Sequence, residues 1–97
     1  MANAIGSAVL SFGGFPGHSD ASVAVTGQST ISTTSKVEVF IMGDDTTGSH
    51  TAKDHRFVGS ILSLTSGTPT TGVGFTIYGF STERLQGDWA VRFVWSD

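Results

Sequence analysis

The chain contains no cysteine among its 97 residues. A disulfide framework and a thiolate metal site are therefore both excluded. A domain of this size without either must be stabilised by its own packed core or by association with other chains. The length leaves room for one domain only, so we expect residues 1–97 to fold as a single unit.

Charge is scarce as well. Charged residues make up 13% of the chain, against about 25% in ordinary soluble domains. Binding to a phosphate backbone depends on clustered cations. Here the net charge is −3 and the five cations are scattered, so a nucleic-acid partner is excluded. A surface with so little charge is tolerated when neighbouring copies cover part of it, which predicts a homo-oligomer. The cations are Lys36, Lys53, Arg56, Arg84 and Arg92.

Long apolar runs are also missing. The longest ones, such as residues 39–42, are far short of the roughly 20 residues that span a bilayer. The N-terminus lacks the basic region and the long apolar stretch of a signal peptide. We therefore expect a soluble product made in the cytoplasm, with no membrane partner.

Period-two alternation is the main positive signal. The C-terminal segment places Trp89, Val91, Phe93 and Trp95 on one face of an extended chain, which is typical of a half-buried strand. Further short apolar runs are separated by glycine-rich or polar turns, and none has the periodicity of a long helix. The predicted fold is all-β: a single small antiparallel β-sandwich or jelly-roll-like barrel of six to seven strands.

The pattern also predicts individual segments. We expect strands at residues 4–12, 21–25, 36–42, 57–65 and 73–78, before the C-terminal strand. Residues 36–42 are apolar on both faces, which indicates a central strand. Residues 81–87 are interpreted as a connection. Residues 51–56 could form one helical turn capped by Thr51, with Asp54 three positions later.

Aromatic residues are the candidates for a core or an interface. Trp89, Phe93 and Trp95 share the stripe of the last strand. Each aromatic side chain buries about 150–250 Å², so this face is expected to line the core or the centre of an interface. The alternative is an exposed platform on which sugar rings stack, extended by Tyr78 or Phe80.

Phe12 and Phe15 flank the glycine pair at residues 13 and 14. A glycine-rich apolar segment packs poorly on its own, so these rings could form an arm that docks on another subunit. A bulged turn within one subunit is the equal alternative.

The only cluster of potential metal ligands is His50, Asp54 and His55, with Asp44 and Asp45 upstream. Histidine with carboxylate can hold zinc or a harder cation. The spacing matches no ligand signature, and loops between strands carry such residues for turn formation. The prediction is a solvated loop, with no metal and no cofactor.

No catalytic residues are predicted. The chain has no Gly-x-Ser-x-Gly motif and no cysteine nucleophile. A pair of acids flanking a cleft is hard to build with eight scattered acids in so small a domain. We therefore expect the protein not to be an enzyme.

Four stretches, VAVTGQ (23–28), AKDHRF (52–57), GVGFTIYG (72–79) and VRFVW (91–95), resemble those of small proteins encoded among the virion structural genes of tailed bacteriophages. The resemblance lies in short β-motifs and brings no catalytic residues. It implies a virion protein present in many copies, which decorates the head shell or forms part of a fibre or tail attachment. Its expected partners are itself and other virion proteins such as the major capsid protein.

A receptor- or glycan-binding module of a tail or head fibre is the alternative function. In that case the loops after Met42 and Thr65 would recognise a host-surface glycan.

Overall fold

Six strands and one short helix make up the regular structure of the described residues. The computed structural model describes residues 3–14, 17–43, 45–48 and 50–97, so Phe15 and Asp44 lie outside the described residues. Its helix is too short to cross a membrane, and no other helix occurs in the described residues. In chain order the elements are β1 (Asn3–Ser11), β2 (His18–Val25), β3 (Lys36–Phe40), α1 (Ala52–Val58), β4 (Leu62–Ser66), β5 (Phe75–Leu85) and β6 (Asp88–Ser96).

The strands form two three-stranded sheets that pack face to face. Sheet A has the order β1-β6-β3, and sheet B has the order β2-β5-β4. Every pair of neighbouring strands is antiparallel. The predicted small antiparallel β-sandwich of six strands is therefore confirmed.

The core lies between β6 and β5, the central strands of the two sheets. Along β6 the stripe Trp89, Val91, Phe93 and Trp95 is at most 3% exposed, as period-two alternation requires. The ring of Phe75 on β5 meets the ring of Phe93 edge-on, with centroids 5.1 Å apart. The last strand therefore supplies most of sheet A's share of the core.

Close contact between the sheets depends on a small residue in β5. A Cβ at position 79 would lie 2.8 Å from Cδ1 of Leu10, which belongs to β1 and is fully buried. Glycine at this position lets the leucine side chain of sheet A reach the backbone of sheet B. The two sheets are thus packed without a gap at the centre of the sandwich.

The expectation of a central strand at residues 36–42 is wrong. Lys36–Phe40 pairs with β6 alone and forms an edge of sheet A. No further described strand covers its outer face: Phe40 at its end is half-buried, and Met42, which follows the strand, is 39% exposed. Apolar residues on both faces of a run therefore do not by themselves indicate a central strand.

Two boundaries also differ from the sequence interpretation. Residues 81–85 continue β5, because Leu85 pairs with His18 and Ser81 pairs with Leu62, and only residues 86 and 87 connect β5 to β6. The helix extends through Val58, so the next strand begins at Leu62 rather than at residue 57. In both places, contacts with distant segments decide the local structure.

Replacement of Trp95 by alanine should destabilise the domain by about 3–5 kcal/mol, because a large buried aromatic side chain is removed. That loss is a large share of the roughly 5–15 kcal/mol that stabilises a domain. Urea unfolding measures it. Phe57→Ala is the matched control, since Phe57 is 63% exposed and its loss should change the stability little. Equal unfolding curves for both variants would contradict a core position for Trp95.

Candidate functional site

β3 ends before β6 does, and this leaves part of the β6 edge without a strand neighbour. The β3–β6 register runs from Lys36 opposite Ser96 to Phe40 opposite Arg92. β6 continues to Asp88, and buried backbone groups need hydrogen-bond partners. The described residues of 45–58, here called the covering segment, lie along this remaining edge and supply them.

His55 takes the place of a missing strand at Ala90. Its side chain is fully buried. Nε2 accepts a hydrogen bond from the backbone N–H of Ala90 at 3.1 Å, and Nδ1 donates to the backbone oxygen of Thr51 at 2.8 Å. Because an N–H only donates and a carbonyl only accepts, the two partners require a neutral ring with its proton on Nδ1. The ring therefore holds α1 against β6.

Thr47 provides the second hydrogen bond that replaces a strand neighbour of β6. Its hydroxyl donates to the backbone oxygen of Asp88 at 2.8 Å and accepts from the backbone N–H of His50 at 3.1 Å. One hydroxyl thus satisfies the β6 edge and fixes the loop that leads into the helix.

An ion pair attaches the start of the covering segment to the outer side of sheet A. Arg92 donates to both carboxylate oxygens of Asp45, at 2.7 and 3.0 Å. This hydrogen bonding to Arg92, together with its positive charge, holds the pKa of Asp45 below its usual value. A bidentate pair of this kind also fixes orientation.

His50 lies on top of Trp89. Their rings stack with centroids 3.6 Å apart and planes within 14°. His50 Nε2 donates to the backbone oxygen of Gln86 at 2.6 Å, and the Trp89 indole N–H donates to the same oxygen at 3.2 Å. The imidazole therefore closes the end of the core over β6.

The helix itself starts as its sequence indicates. The Thr51 hydroxyl accepts from the backbone N–H of Asp54, and the Asp54 carboxylate accepts from the backbone N–H of Thr51, which completes a capping box. The Thr51 N–H, with a contribution from nearby His50, holds the pKa of Asp54 below its usual value. The predicted turn at residues 51–56 is thus present and extends as α1 to Val58.

The candidate metal ligands are occupied by structural contacts. His50 Nδ1 lies 3.5 Å from Asp54 Oδ2, while both ring nitrogens of His55 are engaged by backbone groups. No three histidine or carboxylate groups converge within the described residues, which do not include Asp44. The prediction of a solvated loop is wrong for His55, which is fully buried within α1. His50, Asp54 and His55 hold the covering segment in place.

The buried tryptophans cannot form a sugar platform. The indole N–H of Trp95 donates to the side-chain oxygen of Gln28 at 2.9 Å, and both Trp89 and Phe93 are 3% exposed. Phe12 is also buried, at 1%, so within the described residues it belongs to the core rather than to a docking arm. Phe15 is outside the described residues.

Exposed apolar side chains instead mark the outer faces of the two sheets. Sheet A exposes Ile5, Val9 and Val94 at 73%, 48% and 38%, and sheet B exposes Tyr78 and Phe80 at 41% and 52%. Sequence reasoning named the last two as platform residues but missed the first three. The signal for Ile5 and Val9 was the run at residues 4–12, which is apolar on both faces and uncharged.

The two hydrogen bonds of His55 can be tested by substitution. We expect His55→Ala to destabilise the domain by more than about 2 kcal/mol, because it opens a cavity and leaves the Ala90 N–H without a partner. The Thr51 carbonyl keeps the backbone N–H of residue 55 as its donor. His55→Gln should recover part of this loss, since its amide oxygen can accept from Ala90. Urea unfolding and amide hydrogen exchange at Ala90 measure both effects.

Lys53→Ala is the control for the same helix, because Lys53 is exposed. Unchanged protection of the Ala90 amide in His55→Ala would show that the imidazole does not substitute for a strand there.

Comparison with known proteins gives no relative for this chain. No family model, no curated protein and no solved structure matches it.

Proposed function

We propose that this protein is a multi-copy structural component of a tailed-bacteriophage virion that decorates the head. It acts by adhesion to copies of itself and to other virion proteins such as the major capsid protein. The resemblance of its short β-motifs to those of virion structural proteins supports this role. The observation that supports self-association is strand β1, which forms an uncharged edge of sheet A.

Strand β1 lacks the features that normally protect an edge. It pairs with β6 alone among the described strands, over nine consecutive positions without a register shift. Its sequence, NAIGSAVLS, contains no charged residue and no proline. Natural edge strands are usually interrupted by charges, prolines or bulges, since a regular edge pairs with other chains. β1 is thus suited to continue its sheet into a second molecule.

The outer face next to this edge carries apolar side chains on either side of Arg92, which lies opposite Ser7 and is paired with Asp45. Ile5 is 73% exposed and lies directly opposite Val94 in the register, and Val9 lies opposite Ala90. Apolar side chains on one sheet face next to a regular edge favour burial against a partner. Covering Ile5, Val9 and Val94 would remove much of the apolar surface that sheet A exposes to water.

The edge is also self-complementary. Ile5 and Val9 lie equally far from Ser7 along β1. If two β1 strands pair antiparallel about Ser7, Ile5 faces Val9 of the partner subunit, and the reverse contact follows by symmetry. A twofold interface requires this reciprocity. The smallest assembly expected from the edge is therefore a dimer with a continuous sheet through both molecules.

Weak contacts between single copies are sufficient for stable attachment when many copies bind the same particle. A particle lattice presents many binding sites at once, so each copy of the protein is held at high effective concentration. A small sandwich with little surface charge fits such a role, because contacts with neighbours replace the charges that keep a free monomer soluble.

The isolated protein should sediment as an oligomer at micromolar concentration. In the double variant Ile5→Lys, Val9→Lys, cationic side chains would face each other across the paired edges, so we expect a folded monomer. Val73→Lys is the matched control, because Val73 is 45% exposed and lies outside the strands; it should leave the oligomer intact. A monomeric wild type over the whole concentration range would overturn the role of the β1 edge.

Mass spectrometry of purified phage particles tests the virion role itself. A shell decoration protein should be present in hundreds of copies per particle, whereas a receptor-binding module of a fibre is present in few. Absence of the protein from particles that carry their other structural proteins would refute the proposal.

A further inference from the structure

The outer face of sheet B carries two exposed aromatic rings in consecutive outward positions. Tyr78 and Phe80 lie on the central strand β5 and are 41% and 52% exposed. Residues two apart on a strand share a face and lie about 7 Å apart along it. The rings are therefore adjacent, and both are available to a ligand.

Polar side chains flank each ring in the sheet register. Phe80 lies between Asp20 on β2 and Ser63 on β4, and Tyr78 lies between Ser22 and Thr65. All four flanking residues are exposed. Directly opposite residues on neighbouring strands share a face and have Cβ atoms about 5 Å apart. Each ring thus has a hydrogen-bonding group on both sides.

Tyr78 extends across the end of β4. A Cβ at Gly67 would lie 3.2 Å from Cε2 and 3.7 Å from the hydroxyl of Tyr78, so the glycine leaves room for the ring over that backbone. No hydrogen bond between the described residues involves the Tyr78 hydroxyl. It remains available as both a donor and an acceptor at the edge of the patch.

We propose that Tyr78, Phe80 and the four polar residues that flank them, together called the sheet B patch, form a binding site for a neutral saccharide. A sugar ring has an apolar face of C–H groups, which packs on the electron-rich face of an aromatic ring. Its hydroxyl groups project from the edge, where serine, threonine and carboxylate oxygens can bind them. The patch consists of Asp20, Ser22, Ser63, Thr65, Tyr78 and Phe80.

The size and charge of the patch favour this ligand over a macromolecule. Two rows of three side chains cover about 10 Å across the strands and about 7 Å along them, which is the scale of one or two sugar rings. A stable protein interface needs about 800 Å² on each partner. Asp20 carries the only formal charge, so phosphate-bearing or other anionic ligands are disfavoured.

The experiment screens the wild-type protein against immobilised neutral oligosaccharides of glucose, galactose and N-acetylglucosamine. The strongest binder is then titrated by calorimetry. We expect the double variant Tyr78→Ala, Phe80→Ala to lose binding, and Asp20→Ala to bind about tenfold more weakly, since a loss of 1.4 kcal/mol changes the affinity tenfold. Phe57→Ala is the matched control, because it removes an aromatic ring that is 63% exposed on α1; its affinity should not change.

The saccharide site is overturned if the wild type binds none of these oligosaccharides, or if the double variant binds as the wild type does. Circular dichroism and thermal unfolding check that each variant is folded. If the double variant is unfolded, the affinity of Asp20→Ala decides the test instead. If the double variant instead dissociates the oligomer, the patch is a protein interface and the proposal fails. The variant Ile5→Lys, Val9→Lys should still bind the oligosaccharide, so failure of the assembly role and failure of the saccharide site are distinguishable.

Discussion

The backbone N–H and C=O groups of β6 beyond the end of β3 need hydrogen-bond partners that no strand supplies. The rest of the structure depends on which groups take that place. Side chains do it: His55 accepts from Ala90, and Thr47 donates to Asp88. A continued β3 would have given a longer and more regular edge. The covering segment instead lies over this part of the sheet A edge. An edge covered by a helix or loop is protected from pairing with a further strand.

This arrangement also engages both histidines of the covering segment in structural contacts. His50 is stacked on Trp89 and bound to Gln86, and His55 is held between two backbone groups. Polar atoms that are already paired inside a fold can bind a ligand only if those bonds break, and the groups left behind then lose their partners. The residue types of this segment suggest chemistry, but their contacts are structural.

Sequence alone predicted the elements in which burial is one-sided. β6 alternates cleanly because one face meets the core and the other meets solvent, and the capping box at Thr51 was visible as a local motif. Residues 81–85 gave no such pattern, since their strand conformation depends on pairing with β2 and β4. The contact between His55 and Ala90 was also hidden, because its partner is a backbone group 35 positions away. Local patterns contain no information about such partners.

The two proposed surfaces are compatible because they lie on opposite outer faces of the sandwich. Stacked sheets are about 10 Å apart, so a partner seated on sheet A does not reach the patch on sheet B. Pairing through β1 lengthens sheet A in its own plane and leaves β5 as the centre of sheet B. Tyr78 and Phe80 would then be repeated at each copy of the assembly. If the sheet B patch binds a saccharide, weak contacts repeated in this way would act together, so the assembly would bind a saccharide-bearing surface more tightly than a single patch does.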